Sequence, residues 1–177
     1  IIKKETNKNL EILEIGCRRG TASLYIKVNN PEHNLNLLDF SEKAIDIAKK
    51  NFKSLKQKAN FFVSDLNNFN NQKKFDLIIS LGVLEHIENI DYTIDLLKQK
   101  LKNNGIMIHM IVPFKTYSIQ NYFSFVNHLL YKLNFKKTNK EWLDKKTFSM
   151  TDNVFRSKIN SNRYLEHFKM AGFIKSY

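Results

Sequence analysis

Leu10-Glu11-Ile12-Leu13-Glu14-Ile15-Gly16-Cys17-Arg18-Arg19-Gly20 is the stretch that decides the fold. Leu10–Ile15 is short and apolar-rich, as a strand is, and it runs straight into a loop flanked by two glycines. Thr21 to about Val28 then reads as a helix, so a strand feeds a helix through a tight turn. Only five glycines occur in 177 residues, against the dozen or so that average usage of about 7% would give. A chain so sparing keeps glycine where the backbone requires it.

Working outward, the same alternation repeats. Leu35–Asp39 reads as a second strand, and Ser41 is placed to cap a helix over Glu42–Lys53 with Ala44, Ile45, Ala48 and Phe52 at helical spacing. Asn60–Ser64 is a third strand and Phe75–Leu81 a fourth, continuously apolar at Leu77-Ile78-Ile79 as a strand covered on both faces would be. A helix is expected over Ile90–Lys102, stopped by Asn103-Asn104-Gly105, and a fifth strand over Ile106–Val112, closed by Pro113. Strand alternating with helix predicts an α/β fold, a doubly wound, mostly parallel sheet with helices on both faces. Beyond Pro113, apolar residues from Ile119 to Leu133 recur at helical spacing, and a last helix starts at Ser161 and ends at Gly172. No linker divides the chain, so one domain is expected over 1–177, with 114–160 as an inserted or lid segment.

Bulk composition sets outer limits. Hydrophobic residues at 42% and charged residues at 26% describe a globular chain, and no apolar run approaches the roughly 20 residues that span a bilayer. One cysteine allows no internal disulfide, so the cytoplasm is the expected setting. A start at Ile1 and a stop at Tyr177 suggest a fragment. The net charge of +12 raises a nucleic-acid partner, but the lysines are scattered and form no block, which favours a solvated basic surface.

In an open parallel sheet, ligands bind beyond the carboxyl ends of the strands, where the strand order reverses. The Gly16–Gly20 loop lies there, and Asp39, 19 residues past Gly20, ends the second strand where an acid can accept hydrogen bonds from ribose hydroxyls. The loop does not suit a dinucleotide. Its spacing is G-x-x-x-G, with Arg18 where a middle glycine would bring bare backbone against a pyrophosphate. A nucleoside cofactor without phosphates is the better reading.

The motifs then carry a resemblance. Leu13-Glu14-Ile15-Gly16-Cys17-Arg18-Arg19-Gly20 resembles the first motif of class I S-adenosylmethionine (SAM)-dependent methyltransferases, L-[DE]-[IV]-G-C-G-x-G. Leu38-Asp39-Phe40-Ser41, Phe62-Val63-Ser64-Asp65, Phe75–Ser80 with Val83-Leu84-Glu85-His86-Ile87, Leu101–Gly105 and Ala171-Gly172-Phe173 follow in the family's order. The resemblance is close over about 10–112 and loose over 161–174. It implies a Rossmann-like sheet of order 3-2-1-4-5 with an incomplete far edge, and SAM as cofactor with S-adenosylhomocysteine as product. It also implies roles. Glu14, Gly16, Cys17 and Gly20 would wall the methionyl part of SAM. Asp39 would hold the ribose with Phe40 beside the adenine, Asp65 and the Leu66 backbone would meet the adenine amino group, and Ser80 and Leu81 would lie under the sulfonium. The plainer reading of each is a turn glycine, a cap or a surface acid. The chain departs from the pattern at Arg18, in the shortness of the segment before the first strand, and in lacking the family's seventh strand.

Among other groups, His86 follows the fourth strand and is the candidate general base, with a helix start at Glu85-His86 as the plain alternative. His109 reads as a core or edge residue, and His33, His128 and His167 as surface or helix positions. Some ubiquinone-type relatives carry a metal-binding acid three residues before the Glu-His pair; here that position is Gly82, so no metal is expected. The expected activity is methyl transfer to an oxygen or nitrogen of a small-molecule acceptor. An RNA or tRNA methyltransferase and a non-catalytic SAM-binding subunit are the alternatives. The oligomeric state is left open.

Overall fold

The computed structural model describes residues 9–112 and 155–173. Five strands, β1 (Glu11–Ile15), β2 (Asn34–Asp39), β3 (Asn60–Val63), β4 (Phe75–Leu81) and β5 (Leu101–Met110), form one sheet of order β3-β2-β1-β4-β5. Every pairing is parallel. The chain runs outward from β1 to β3, then returns to lay β4 on the other side of β1. The order therefore reverses beside β1, at the end of the Gly16–Gly20 loop.

Alternation along the strands sorts the core into two faces. Ile12, Leu35, Leu37, Leu77 and Ile79 point to α1 (Thr21–Asn29) and α2 (Glu42–Ser54), meeting Ile45, Ala48 and Phe52 of α2. Leu13, Ile15, Leu38 and Ile78 point the other way, to α3 (Ile90–Lys100) and α4 (Ser161–Met170), meeting Ile94, Leu97 and Tyr164. Three helices bring their own caps: Ser41 Oγ accepts from Ala44 N, Asn89 Oδ1 from Tyr92 N and Asn160 Oδ1 from Arg163 N. Each such cap contributes about 1 kcal/mol. Helix α1 starts after Gly20 and has no side-chain cap of this kind.

The sheet order and the inward residues Ile45, Ala48 and Phe52 of α2 agree with the sequence reading, whereas the approach to β5 does not. Helix α3 ends at Lys100 and the strand begins at once at Leu101, so Asn103-Asn104-Gly105 lies inside β5 and does not precede it. The turn chemistry is real but local. Asn104 sits at φ 67°, and the register against β4 slips between Phe75 and Leu77. Pairing with β4 on both sides of the irregularity holds the segment in the sheet. Beyond that slip, Ile106, Ile108, Met110 and Val112 face the α1/α2 side and are exposed, because those helices cover β1 to β3 and stop short of β5. The expected helix over 119–133, and the insert up to residue 154, lie outside the described residues.

Candidate functional site

At the carboxyl end of β1 the backbone takes left-handed conformations at Gly16 (φ 62°), Arg18 (φ 49°) and Gly20 (φ 67°). Glycine is required at the two ends for packing as well as for φ. A Cβ on Gly16 would stand 2.5 Å from Val83 Cγ2, and one on Gly20 2.7 Å from Leu37 Cδ2. The loop is therefore pressed against the β4 loop on one side and the α2 core on the other. Arg18, at the middle glycine's position, carries the left-handed backbone with a side chain, a conformation costing about 1 kcal/mol or more.

Asp39 closes this loop. Its Oδ2 accepts from Arg18 N at 2.9 Å and its Oδ1 from Ser41 N at 2.9 Å, while Cys17 N donates to Leu38 O. Asp39 is buried at 5% exposure, yet each carboxylate oxygen keeps a further lone pair. Phe40, next in sequence, is 80% exposed. Glu14, also buried, points to the α1 side, where its Oε2 accepts from Ser23 N in the first turn of that helix. Burial raises the Glu14 pKa above its usual range, with the nearby Asp39 charge adding to this and the Ser23 hydrogen bonds opposing it. Burial, then the Glu14 and Asp39 charges, push the Cys17 thiol up to about 12, so it is protonated at neutral pH and no nucleophile.

Asp65 is exposed, and its carboxylate accepts from both the backbone and side-chain amides of Asn68. Those two bonds hold its pKa below the ordinary range. Leu66 beside it packs against the α3/α4 core. Ser80 is fully buried and turned to the same side, its Oγ 2.7 Å from His109 Nδ1, while Leu81 is partly exposed at 43%. Burial brings the His109 pKa down to about 4, so the ring is neutral. It stacks on Phe168 of α4, and its Nε2 has no partner among the described residues.

After β4, Gly82 (φ 69°) turns the chain into a single 3-10 turn, Leu84–His86. Helix α3 begins only at Ile90 under its own cap, so Glu85-His86 does not start it. His86 is exposed, with Nδ1 2.9 Å from the Phe155 carbonyl. A carbonyl only accepts, so Nδ1 carries the hydrogen and Nε2 keeps a free lone pair. Ser157 N donates to Glu85 O, fastening the 155–157 segment to the same turn. Glu85 is buried and its Oε2 has no hydrogen-bond partner among the described residues. The sequence reading passed over this carboxylate in favour of its neighbour; its place in Leu84-Glu85-His86 was the available signal. His33, read as a surface or helix position, lies in the turn before β2 and is 2% exposed. Lys27 donates to its carbonyl, and Glu32 lies 3.3 Å from Nδ1. Among the described residues, no cluster of three His, Cys, Asp or Glu side chains is arranged to hold a metal ion.

The order 3-2-1-4-5, the glycine loop and the acid ending β2 define a Rossmann-like nucleoside-cofactor fold. A methyltransferase domain family model matches residues 13–107, more than half of the chain, and the chain belongs to that family of SAM-dependent methyltransferase domains. A ubiquinone biosynthesis O-methyltransferase of Pelagibacter ubique is 35% identical over 104 residues, covering 56% of this chain and 41% of that protein. A malonyl-[acyl-carrier protein] O-methyltransferase of Ilyobacter polytropus is 33% identical over 123 residues, covering 70% and 45%. The chain thus spans less than half the length of either. Among solved structures, the plantazolicin methyltransferase BpumL in complex with S-adenosylhomocysteine is 30% identical with a TM-score of 0.55, covering 60% of this chain and 40% of that one. A putative methyltransferase from Bacillus halodurans shares the fold over 98% of this chain and 66% of its own, at 12% identity and a TM-score of 0.68.

Proposed function

We propose that the protein of which this chain is part transfers a methyl group from SAM to an oxygen or nitrogen of a small-molecule acceptor, without a metal. The observation that carries this reading is the Gly16–Gly20 loop, locked in left-handed turns and tied through Arg18 N to the acid that ends β2. The groups present fit a nucleoside without phosphates. Asp39 keeps acceptor capacity for two hydroxyls, exposed Phe40 offers a ring face for a base, and the Arg18 side chain stands where a pyrophosphate would need bare backbone. Glu14, Gly16, Cys17 and Gly20 would line the amino-acid end, Asp65 and the Leu66 backbone the adenine edge, and Ser80 and Leu81 the floor below the sulfur. When bound, SAM supplies an electrophilic methyl group.

The protein's own work is alignment of the reactants and, for a hydroxyl acceptor, removal of a proton. His86 is the residue proposed for that step, since its Nδ1–H is held by the Phe155 carbonyl and its Nε2 lone pair remains available. Gly82 supplies no side-chain ligand beside Glu85 and His86, which supports a metal-free reaction. The single cysteine, free and buried, suits a cytoplasmic setting, and no helix among the described residues is long and apolar enough to cross a membrane.

The test is radiolabelled methyl transfer to a panel of phenols, carboxylic acids, sugars and amines, and to bulk tRNA, each with and without chelator. Transfer to a small hydroxyl acceptor should survive chelation. His86→Gln should lower it about 100-fold or more, with S-adenosylhomocysteine affinity unchanged. Transfer to tRNA alone would overturn the acceptor class, and loss on chelation would overturn the metal-free reading.

A further inference from the structure

A cleft of about 940 Å3 opens at the end of the sheet where β2 and β3 begin, opposite the Gly16–Gly20 loop. Five lysines line it: Lys27 from α1, Lys49 and Lys53 from α2, and Lys56 and Lys58 from the loop before β3. Among the described residues, no carboxylate lines it. Lys27 is held by the carbonyls of Pro31 and His33, and Lys49 lies 3.8 Å from Asp46. Lys53, Lys56 and Lys58 are exposed, and their ammonium groups have no hydrogen bond or ion pair among the described residues. Lys49 and Lys53 stand one helical turn apart on α2, and Lys56 continues the row past the end of the helix. Between the lysine walls the floor is apolar, formed by Leu35, Phe52, Ala59 and Phe61.

We propose that this cleft is a docking site for an acidic, amphipathic segment of a partner protein, one apolar side chain on the floor and flanking carboxylates on the lysines. The lining favours that partner over a nucleic acid. Phe52 is 1% exposed, so its ring offers no face on which a base can stack, and the half-buried Phe61 meets it edge-on at 5.4 Å, leaving a single aromatic ring in the cleft where stacking along a strand uses several. Among the described residues, no arginine lines the cleft to fork a phosphate. Flexible ammonium groups around an apolar floor match carboxylates set about an apolar anchor. Because the cleft is at the strands' amino ends, a docked partner leaves the carboxyl end of the sheet free.

Fluorescence anisotropy tests this with a labelled synthetic peptide rich in Glu around a central Leu, beside a poly-Glu peptide of equal length and an oligouridylate. The Glu/Leu peptide should bind best, and weaken about tenfold as salt rises from dilute to above physiological. Lys53→Glu/Lys56→Glu should weaken it about tenfold, while Lys158→Glu/Lys169→Glu, on the far side of the sheet, should not, all variants keeping the parent melting temperature. Three outcomes would overturn the proposal: no binding of the Glu/Leu peptide, equal binding by poly-Glu, or oligouridylate binding more tightly and depending on Lys53 and Lys56.

Discussion

The two halves of the sheet's carboxyl end are built on opposite terms. At the β1–β2 end, the Asp39 and Glu14 carboxylates accept hydrogen bonds from loop and helix amides, and both glycines are pressed into the packing. At the β4–β5 end, Glu85 Oε2 and His109 Nε2 are buried without partners among the described residues, and the apolar row from Ile106 to Val112 is exposed. On the proposed function, the first end would offer the cofactor a loop complete before it arrives, and the second would leave polar groups uncommitted for an acceptor. The first end is rigid by construction, and the second derives its order from the 155–157 segment fastened at Glu85 and His86.

The comparison can be broken most directly at Gly20. Gly20→Val places a β-branched side chain at φ 67° and against Leu37, Ala48 and Phe52. The combined strain and overpacking should cost about 3–5 kcal/mol in urea unfolding, whereas Gly82→Ala, whose Cβ would meet only Glu85 Oε1 at 3.6 Å, should cost about 1–2. A smaller loss at Gly20 would show that the β1 end is not the rigid one.

At the β4–β5 end, the measurement is pH dependence. His109 has a folded pKa of about 4 against an ordinary value of 6.5, so the unfolded chain binds the extra proton between those values. Its contribution is complete above pH 6.5 and is lost as pH falls to 4, about 3 kcal/mol in all. Glu14 works in the opposite sense, since its raised pKa favours the folded state at low pH. Comparison with His109→Gln isolates the histidine: the variant's stability should fall less over that range. Asp39→Ala should cost about 2–3 kcal/mol by orphaning two amides, and should weaken S-adenosylhomocysteine binding by calorimetry. Asn160→Ala removes only the α4 cap, and should cost about 1 kcal/mol with binding unchanged.

Much of this was legible in the sequence because it rests on local rules. Apolar periodicity located the strands and helices, and scarce glycines marked Gly16 and Gly20 as positions that need a left-handed backbone. What those glycines press against was not legible, since Val83 and Leu37 reach them only through the fold. The same applies to Asp39, whose spacing announced an acid at the end of β2 but not the two amides that occupy it. At Asn103-Asn104-Gly105 a local turn signal lost to a tertiary one, because pairing with β4 absorbs a single left-handed residue as a slip in register. His33 looked polar enough for the surface, but the carbonyl of its own backbone anchors Lys27, and the ring is buried.

Helix α1 has no acid in its first turn, and the carboxylate at its amino end belongs to Glu14, seven positions before the helix begins and inside a strand. Helix α2 carries its own cap on Ser41. The two helices therefore differ in when they can form. A peptide spanning α2 contains its start signal, whereas α1, at nine residues, is too short to persist alone and receives its stabilising charge only once β1 is in place. During folding, α1 is therefore expected to form late, as a reporter of sheet assembly, together with the loop between Gly16 and Gly20.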